Sequence, residues 1–166
     1  MRGLKVLKIA AITAVAMLVV MLLMMGYLFL TAEVTVSVVG AQTLSAEGTE
    51  QFMQHKEALS EETFVGTIYQ KPAQWKQPSD YAYVTYTVHV KNGCLVPVEM
   101  IEVQGVPQPS DIAQLGNLQN ASLQAKSEGD MPATILTAAG GNPARELIVS
   151  YYVWGVSFQL RTIAGK

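Results

Sequence analysis

A run of 23 uncharged residues near the N-terminus limits the folds open to this chain more than any other feature. The run, Ile9 to Thr31, reads IAAITAVAMLVVMLLMMGYLFLT. As a helix rising about 1.5 Å per residue it is roughly 34 Å long, which is enough to cross the hydrocarbon core of a bilayer. A soluble protein would need a far larger globule to bury such a helix. We therefore expect a transmembrane helix at residues 9–31, with the lipid bilayer as its partner.

The charges before this run predict its orientation. Arg2, Lys5 and Lys8 precede it, and no acidic residue does. Because basic residues are retained on the cytoplasmic side, residues 1–8 are expected to be a cytoplasmic tail and residues 32–166 an extracytoplasmic domain. The predicted location is the cell membrane, crossed once.

A cleaved signal peptide is the competing interpretation of the same segment. Its apolar region is usually about 7–15 residues long, which is shorter than the run found here. The residues before Ala32 include Phe29 and Leu30, a poor match to the small-x-small pattern of a cleavage site. The sequence favours an uncleaved signal anchor, and cleavage stays open as the alternative.

The charge balance of residues 32–166 argues against nucleic acid as a partner. Those residues carry eight Lys/Arg against thirteen Asp/Glu. A phosphate backbone requires a basic patch, which this acidic segment does not offer. The 135 residues suffice for one domain with its own core. The single cysteine, Cys94, excludes an internal disulfide, so the fold must depend on packing.

Two segments alternate apolar and polar residues with the period of a half-buried β-strand. In Glu33–Val39, which comes almost directly after the anchor, Val34, Val36 and Val38 alternate with polar residues. In Tyr81–Lys91 the alternation predicts a second strand. Its core-facing set is Ala82, Val84, Tyr86, Val88 and Val90. Because the first strand follows the anchor without a stalk, the domain and any protein partner are expected close to the membrane.

The C-terminal segment predicts a β-hairpin. Apolar residues occupy alternate positions from Leu147 to Val153, and after Trp154-Gly155 the alternation resumes at Val156. A two-residue loop places Val153 opposite Val156 on the same face, so the two patterns agree across the turn.

Residues 40–62 are polar and are expected to form an insertion, with a short helix within TEQFMQHKEALSEE. Further short strands are expected around residues 64–70, 98–104, 123–126 and 133–137. About seven to nine short strands in one domain of this size predict a mainly β fold, a single antiparallel sandwich at residues 32–166 behind one N-terminal transmembrane helix.

The segment YAYVTYTVHVKNGCLVPVEMIEV, residues 81–103, resembles the strand, Asn/Gly turn and strand of bacterial immunoglobulin-like modules of the cell-adhesion-related, CARDB-like kind. GDMPATILTA and RELIVSYYV are similar to later strands of such modules, so the resemblance covers about residues 81–163. It implies an Ig-like sandwich with a binding or spacer role and no catalytic residues. The insertion at 40–62 and the N-terminal anchor depart from the family pattern.

Residues capable of catalysis are few and scattered. His55 lies in the expected helix, and His89 lies on the polar face of its strand, five residues before Cys94. A Cys/His pair needs an orienting third group and an oxyanion site, for which the sequence contains no signal. No two residues have the spacing of zinc ligands, and the acids near Glu128 lack the ligand series of a calcium loop. We expect no enzymatic activity, no metal and no cofactor.

Four aromatic residues form the candidate interaction surface. Tyr81 and Tyr83 alternate with the core-facing set and are therefore predicted on the polar face of their strand, while Tyr152 and Trp154 are predicted on the outward face of the C-terminal hairpin. If those strands are neighbours, the rings form an exposed ladder able to bind peptide, glycan or protein. Cross-strand packing that merely stabilises the sheet is the alternative.

The segment KNGCLVP contains the strongest turn signal, Asn92-Gly93, beside the only cysteine. A strict two-residue hairpin there would send Pro97 and Glu99 toward the core. A bulge, or a crossover from one sheet to the other, relieves that conflict. We therefore predict that Asn92-Gly93 turns the chain at a sandwich edge and that Cys94 is a small, partly buried packing residue.

These expectations favour a membrane-anchored, extracytoplasmic module that acts as a protein-interaction, accessory or structural subunit at the cell surface. Its partner would be an unidentified membrane-proximal protein. A secreted adhesion or carbohydrate-binding module, released by signal cleavage, stays open. A pilin-like subunit also has an apolar helix before a β domain, although the run here lacks the early acidic residue of pilins.

Overall fold

The computed structural model describes residues 2–30, 33–116 and 121–165. Helix α1 (Arg2–Leu30) is the N-terminal apolar segment, and helix α2 (Glu50–Glu61) follows the first strand. The strands are β1 (Val34–Ser45), β2 (Gly66–Ile68), β3 (Tyr81–Asn92), β4 (Val98–Gly105), β5 (Asp111–Leu115), β6 (Ala121–Leu123), β7 (Glu128–Ala138), β8 (Arg145–Val153) and β9 (Val156–Ala164).

The strands form two antiparallel sheets. The five-stranded sheet has the order β1-β3-β7-β5-β2, and the four-stranded sheet has the order β6-β4-β8-β9. The two sheets face each other across one core, to which both contribute their alternate side chains. The expected mainly β sandwich behind an N-terminal helix is confirmed.

The alternation rule identifies the core side of β3 correctly. Its predicted set is buried, with exposed fractions of 0–6% from Ala82 to Val90. The hairpin β8–β9 also forms as expected, since Val153 pairs with Val156 and the two strands stay in register to Arg145 and Ala164. In both cases the alternating apolar side chains face the opposite sheet and are largely buried, except for Val156 beside the turn, which is 44% exposed. This burial stabilises the observed register.

Strand β1 is longer than the sequence pattern predicts. It continues to Ser45, and a register shift between Val38 and Gly40 leaves Val39 as an extra residue in the ladder with β3. Residues 40–45 are therefore strand and not insertion. A bulge changes which face each side chain takes, so alternation is interrupted at this point. The helix within the expected insertion occupies residues 50–61.

The sandwich has two distinct ends. At the proximal end β1 begins and β3 ends, since Val34 pairs with Asn92, and the β8–β9 turn lies there as well. Leu28, near the end of α1, lines a small cavity together with Val96, Val153 and Trp154 of this end. The distal end holds the start of β3, the start of β8 and helix α2.

Candidate functional site

The structure separates the four aromatic residues of the predicted interaction surface. Tyr81 and Tyr83 are each 5% exposed, so their expected position on an open polar face is wrong. They lie on β3 in the five-stranded sheet, whereas Tyr152 and Trp154 belong to the hairpin of the four-stranded sheet. The two pairs are not on neighbouring strands, so the ladder expected from all four rings does not form within the chain.

Helix α2 and the segment before β3 cover Tyr81 and Tyr83. The Phe52 ring stacks on the Tyr81 ring with centroids 5.2 Å apart, and the Trp75 ring lies 5.6 Å from the same tyrosine. His55 Nδ1 lies 2.8 Å from Tyr83 Oη, within hydrogen-bond distance. These contacts form a second, smaller core outside the sandwich. Sequence reasoning missed it because the apolar stripe of α2 is thin, with only Phe52 and Leu59 buried.

Burial changes the acid–base properties of the second core. It raises the pKa of Tyr83 to about 12 and lowers the pKa of His55 below its usual 6.5. Tyr83 therefore remains a neutral phenol at pH 7, and His55 remains a neutral imidazole. A neutral, hydrogen-bonded pair suits packing, and it fits the stacking alternative better than an exposed binding ladder.

The segment after β3 is a crossover between the sheets, as predicted, because β3 and β4 belong to different sheets. Asn92, which is fully buried, organises it: its side-chain amide donates to the carbonyl oxygens of Val96, Leu123 and Gln124 at 2.8–3.2 Å. Its Oδ1 accepts a 2.8 Å hydrogen bond from the Cys94 amide. One side chain thus satisfies four backbone groups in two segments, the crossover and the end of β6.

Gly93 is required here for a reason that the turn signal did not indicate. Its amide donates to the Glu33 carbonyl oxygen at 2.8 Å, and a Cβ at position 93 would lie 2.6 Å from that oxygen. A side chain would therefore push the crossover away from the residue that precedes β1. The contact holds the start of β1, and with it the chain leaving α1, against the sandwich.

Cys94 is a buried core residue, 1% exposed. The histidines that were considered as its catalytic partners lie elsewhere. Burial raises the pKa of the Cys94 thiol, which disfavours the thiolate that a nucleophile needs. His89 lies on the opposite face of β3 from Val88 and Val90, with Nδ1 2.7 Å from Asp130 Oδ1. The structure therefore does not bring the two together.

A buried ion pair joins the two sheets at the distal end. Arg145, at the start of β8, is 2% exposed, and its guanidinium contacts both carboxylate oxygens of Asp111 at the start of β5, with Nη2 2.9 Å from Oδ1. Arg145 Nε donates to Tyr86 Oη, which in turn donates to the Pro143 carbonyl oxygen. Burial alone would lower the pKa of Arg145, but the hydrogen bonds to Asp111 and Tyr86 outweigh it and raise that pKa.

A second set of polar side chains lies beside this ion pair and forms one buried polar layer with it. Gln114 Nε2 donates to the Val103 carbonyl oxygen, and its Oε1 accepts from the Gly105 amide. The Tyr69 hydroxyl reaches the same Oε1 and the Gly105 carbonyl oxygen at 2.8 and 2.9 Å. Burial, followed by the charge of Asp111, raises the pKa of Tyr69 to about 12. Among the described residues, no buried side-chain nitrogen or oxygen lacks a hydrogen-bond partner.

This polar layer is built to hold the sheets together. Both carboxylate oxygens of Asp111 are bound to Arg145, so Asp111 is not available as a base. The other polar side chains of the layer also have the hydrogen-bond partners described above. In residues 2–30, 33–116 and 121–165, no group of three His, Cys, Asp or Glu side chains is arranged to hold a metal ion. Sequence reasoning missed Asp111 and Arg145 because they lie 34 positions apart in the chain. The available signal was an arginine in phase with the apolar, core-facing residues of β8.

The proximal end carries the exposed apolar surface that the aromatic ladder was expected to supply. We call it the proximal rim, and it consists of Leu95, Met100, Trp154 and Val156, which are 44–58% exposed. Leu95 lies in the crossover, Met100 in β4 one residue after the partner of Tyr152, and the other two in the β8–β9 turn region. Only Trp154 of the rim was among the predicted surface residues.

Known proteins offer little to compare with this arrangement. No family model matches the sequence, and no curated protein matches it. Among solved structures, the chain is similar to YcdA of Bacillus subtilis, described as a candidate lipoprotein, with 12% sequence identity and a TM-score of 0.36. The similarity covers 81% of this chain and 38% of that one, so the present chain spans well under half the length of YcdA. Such a similarity carries no argument about function.

Proposed function

We propose that this chain is a single-pass membrane protein whose sandwich is a protein-binding accessory module held at the extracytoplasmic surface, without an enzymatic activity of its own. Helix α1 carries the proposal. Its segment Val6–Leu28 is long and apolar enough to cross a membrane. None of the residues in the most apolar stretch of that segment is buried by the described residues. Its large apolar side chains from Val6 to Met25 are 41–72% exposed. Lipid is the solvent that suits such a surface.

The distance between α1 and the sandwich supports a membrane-proximal role. Only residues 31–33 separate Leu30 from Val34, so the two can be at most about 14 Å apart. The Gly93–Glu33 hydrogen bond also ties the residue before β1 to the proximal end of the sandwich. A domain held so close to the bilayer is positioned to bind partners that are anchored in the same membrane.

Strand β1 is the surface that we propose for such a partner. It is a 12-residue edge strand that pairs with β3 on one side, and within the described part of the chain its other edge pairs with no strand. Val39 at its bulge and Leu44 near its end are 64% and 63% exposed. Unpaired edges with apolar side chains are the surfaces to which a second chain adds a strand.

Photo-crosslinking in native membranes tests this proposal. A photoreactive amino acid at Leu44 should yield a discrete crosslinked species, and the charge-bearing variant Val39→Lys should reduce it. The same probe at Gln104, which is exposed on β4 of the other sheet, is the matched control and should yield none. Equal crosslinking from both positions, or none from either, would remove the support for a partner at β1.

A further inference from the structure

One residue of the proximal rim, Trp154, lies beside the C-terminal end of α1. Leu28 ends the segment able to cross a membrane, and it lines the same small cavity as Trp154 and Val153 of the β8–β9 turn. The headgroup region adds roughly 5–7 Å to each side of the hydrocarbon core. A side chain adjacent to Leu28 therefore falls within that region and not in bulk water. Tyr27, one residue earlier, lies at the same depth.

Two rim residues have backbone conformations that usually favour smaller residues. Trp154 has φ 51° and Met100 has φ 52°, both in the left-handed region that bulky side chains rarely adopt. Trp154 and Gly155 both have positive φ, the geometry of a two-residue hairpin turn that favours asparagine at the first position. A tryptophan held there is exposed at the very tip of the hairpin. Strain of this kind is concentrated at functional surfaces.

The chemistry of the rim suits lipid and not an ionic ligand. Tryptophan is the residue that prefers the membrane interface, because its ring is apolar and its indole N–H is polar. The charges nearby are mixed: Glu33 and Glu99 are exposed, and the ammonium of Lys126 is bound to the Gly93 carbonyl oxygen. No cluster of cations is present in the described part of this end that would select anionic lipid.

We propose that the proximal rim is a lipid-contacting surface, which seats the sandwich on the outer leaflet by inserting Trp154 and its apolar neighbours into the headgroup–acyl boundary. The inference rests on the proposed membrane anchoring and adds a second contact between protein and bilayer. Its consequence is a fixed orientation: the short link to α1 keeps the proximal end at the membrane, and the rim contact restricts how the sandwich tilts about that link.

The two tryptophans of the chain allow a direct test. Trp75 belongs to the second core at the distal end, next to Tyr81, and the length of β3 places that end about 36 Å from the rim. The full-length protein is reconstituted in phosphatidylcholine vesicles with or without lipid brominated at a shallow acyl position. Trp75→Phe leaves Trp154 as the emitter, and Trp154→Phe leaves Trp75. Trp75→Tyr replaces the first variant if circular dichroism shows that it is unfolded.

Trp154 emission should fall in brominated vesicles and shift to the blue, while Trp75 emission should not change. Because phosphatidylcholine is zwitterionic, the quenching of Trp154 should also be unchanged at high salt. Unquenched Trp154 in a protein that floats with the vesicles would overturn the rim contact and leave the anchor intact. Quenching that required anionic lipid would also overturn it. A protein that did not float would instead contradict the anchoring proposal, so the two failures are distinguishable.

Discussion

The two ends of the sandwich are stabilised in opposite ways. At the distal end the polar groups are paired and buried, with the Asp111–Arg145 ion pair between the sheets and α2 packed over Tyr81 and Tyr83. At the proximal end the crossover is fastened by Asn92, while apolar side chains stay exposed on strained backbone. Three of the four non-glycine residues with positive φ in the described ranges lie there. The difference indicates that one end is optimised for stability and the other retains features that stability does not explain.

The largest expected effect comes from the distal ion pair. Arg145→Met leaves the Asp111 carboxylate buried without its partner. The free energy of unfolding, measured by urea titration, should therefore fall by about 3–5 kcal/mol. Arg161→Met is the matched control on the neighbouring strand, because the Arg161–Glu146 pair is exposed and should contribute at most about 1 kcal/mol. The double variant Arg145→Met/Asp111→Leu should recover much of the loss. Equal losses from the two single variants would contradict a special role for the distal pair.

The next effect concerns the fastening of the proximal crossover. Asn92→Ala removes the shared donor of three carbonyl oxygens, one buried and two partly buried, and should reduce the free energy of unfolding by about 1–3 kcal/mol. Asn142→Ala removes a single hydrogen bond in an exposed turn and should change stability by no more than about 0.5 kcal/mol. A tolerated Asn92→Ala variant, measured in the same urea titration, would show that the crossover does not depend on this side chain.

A smaller effect of opposite sign is expected at the rim. Trp154→Asn suits the positive φ of the turn and should stabilise the domain by about 1 kcal/mol, while weakening its contact with lipid. Glu62→Asn, at the left-handed residue after α2, should also be stabilising but should leave lipid contact unchanged. Thermal unfolding measures stability. Quenching by brominated lipid of a fluorescent amino acid placed at Leu95 measures the lipid contact, which flotation cannot report while α1 anchors the protein. A destabilised Trp154→Asn variant would mean that the tryptophan serves the fold.

The smallest effect is the pH response of the two histidines, one beneath α2 and one on the outer face of β3. Burial lowers the pKa of His55 below 6.5 in the folded protein. As the pH falls, the unfolded chain therefore takes up a proton on His55 at a higher pH than the folded chain does, and the free energy of unfolding declines below about pH 6.5. The hydrogen bond to Asp130 raises the pKa of His89, whose contribution is complete below 6.5 and is lost as the pH rises through the folded-state pKa. NMR titration should show His89 titrating at the higher pH, and Asp130→Asn should lower its pKa. The reverse order would refute both assignments.

The parts of the fold that local patterns determine were predictable from sequence. The alternation in β3 and across the β8–β9 turn identified the buried faces, because a sheet with one covered face imposes a period of two. The conflict around Pro97 and Glu99 correctly indicated that the chain changes sheets after Asn92. Each of these predictions depended on residues close together in the chain.

The remaining features depend on contacts between distant segments. Tyr81 and Tyr83 were assigned to an open face because nothing in β3 reveals that α2 covers it. Asp111 and Arg145 were not singled out, since a buried charge is distinguished from a surface charge only by its partner. The rim combines Leu95, Met100 and Trp154 from three segments, and the positive φ of Met100 arises where β4 changes register. Alternation alone contains no information about any of these.

The N-terminal residue of the membrane-bound protein shows whether α1 is retained or cleaved. Both the anchor and the position of the rim depend on a retained α1. Membranes are extracted at alkaline pH, and the mass of the N-terminal peptide is determined from the protein that stays with the lipid. We expect a peptide that begins at Met1 or Arg2. A protein that begins between residues 32 and 40 and is released from the membrane would contradict anchoring by α1 and would support a secreted module.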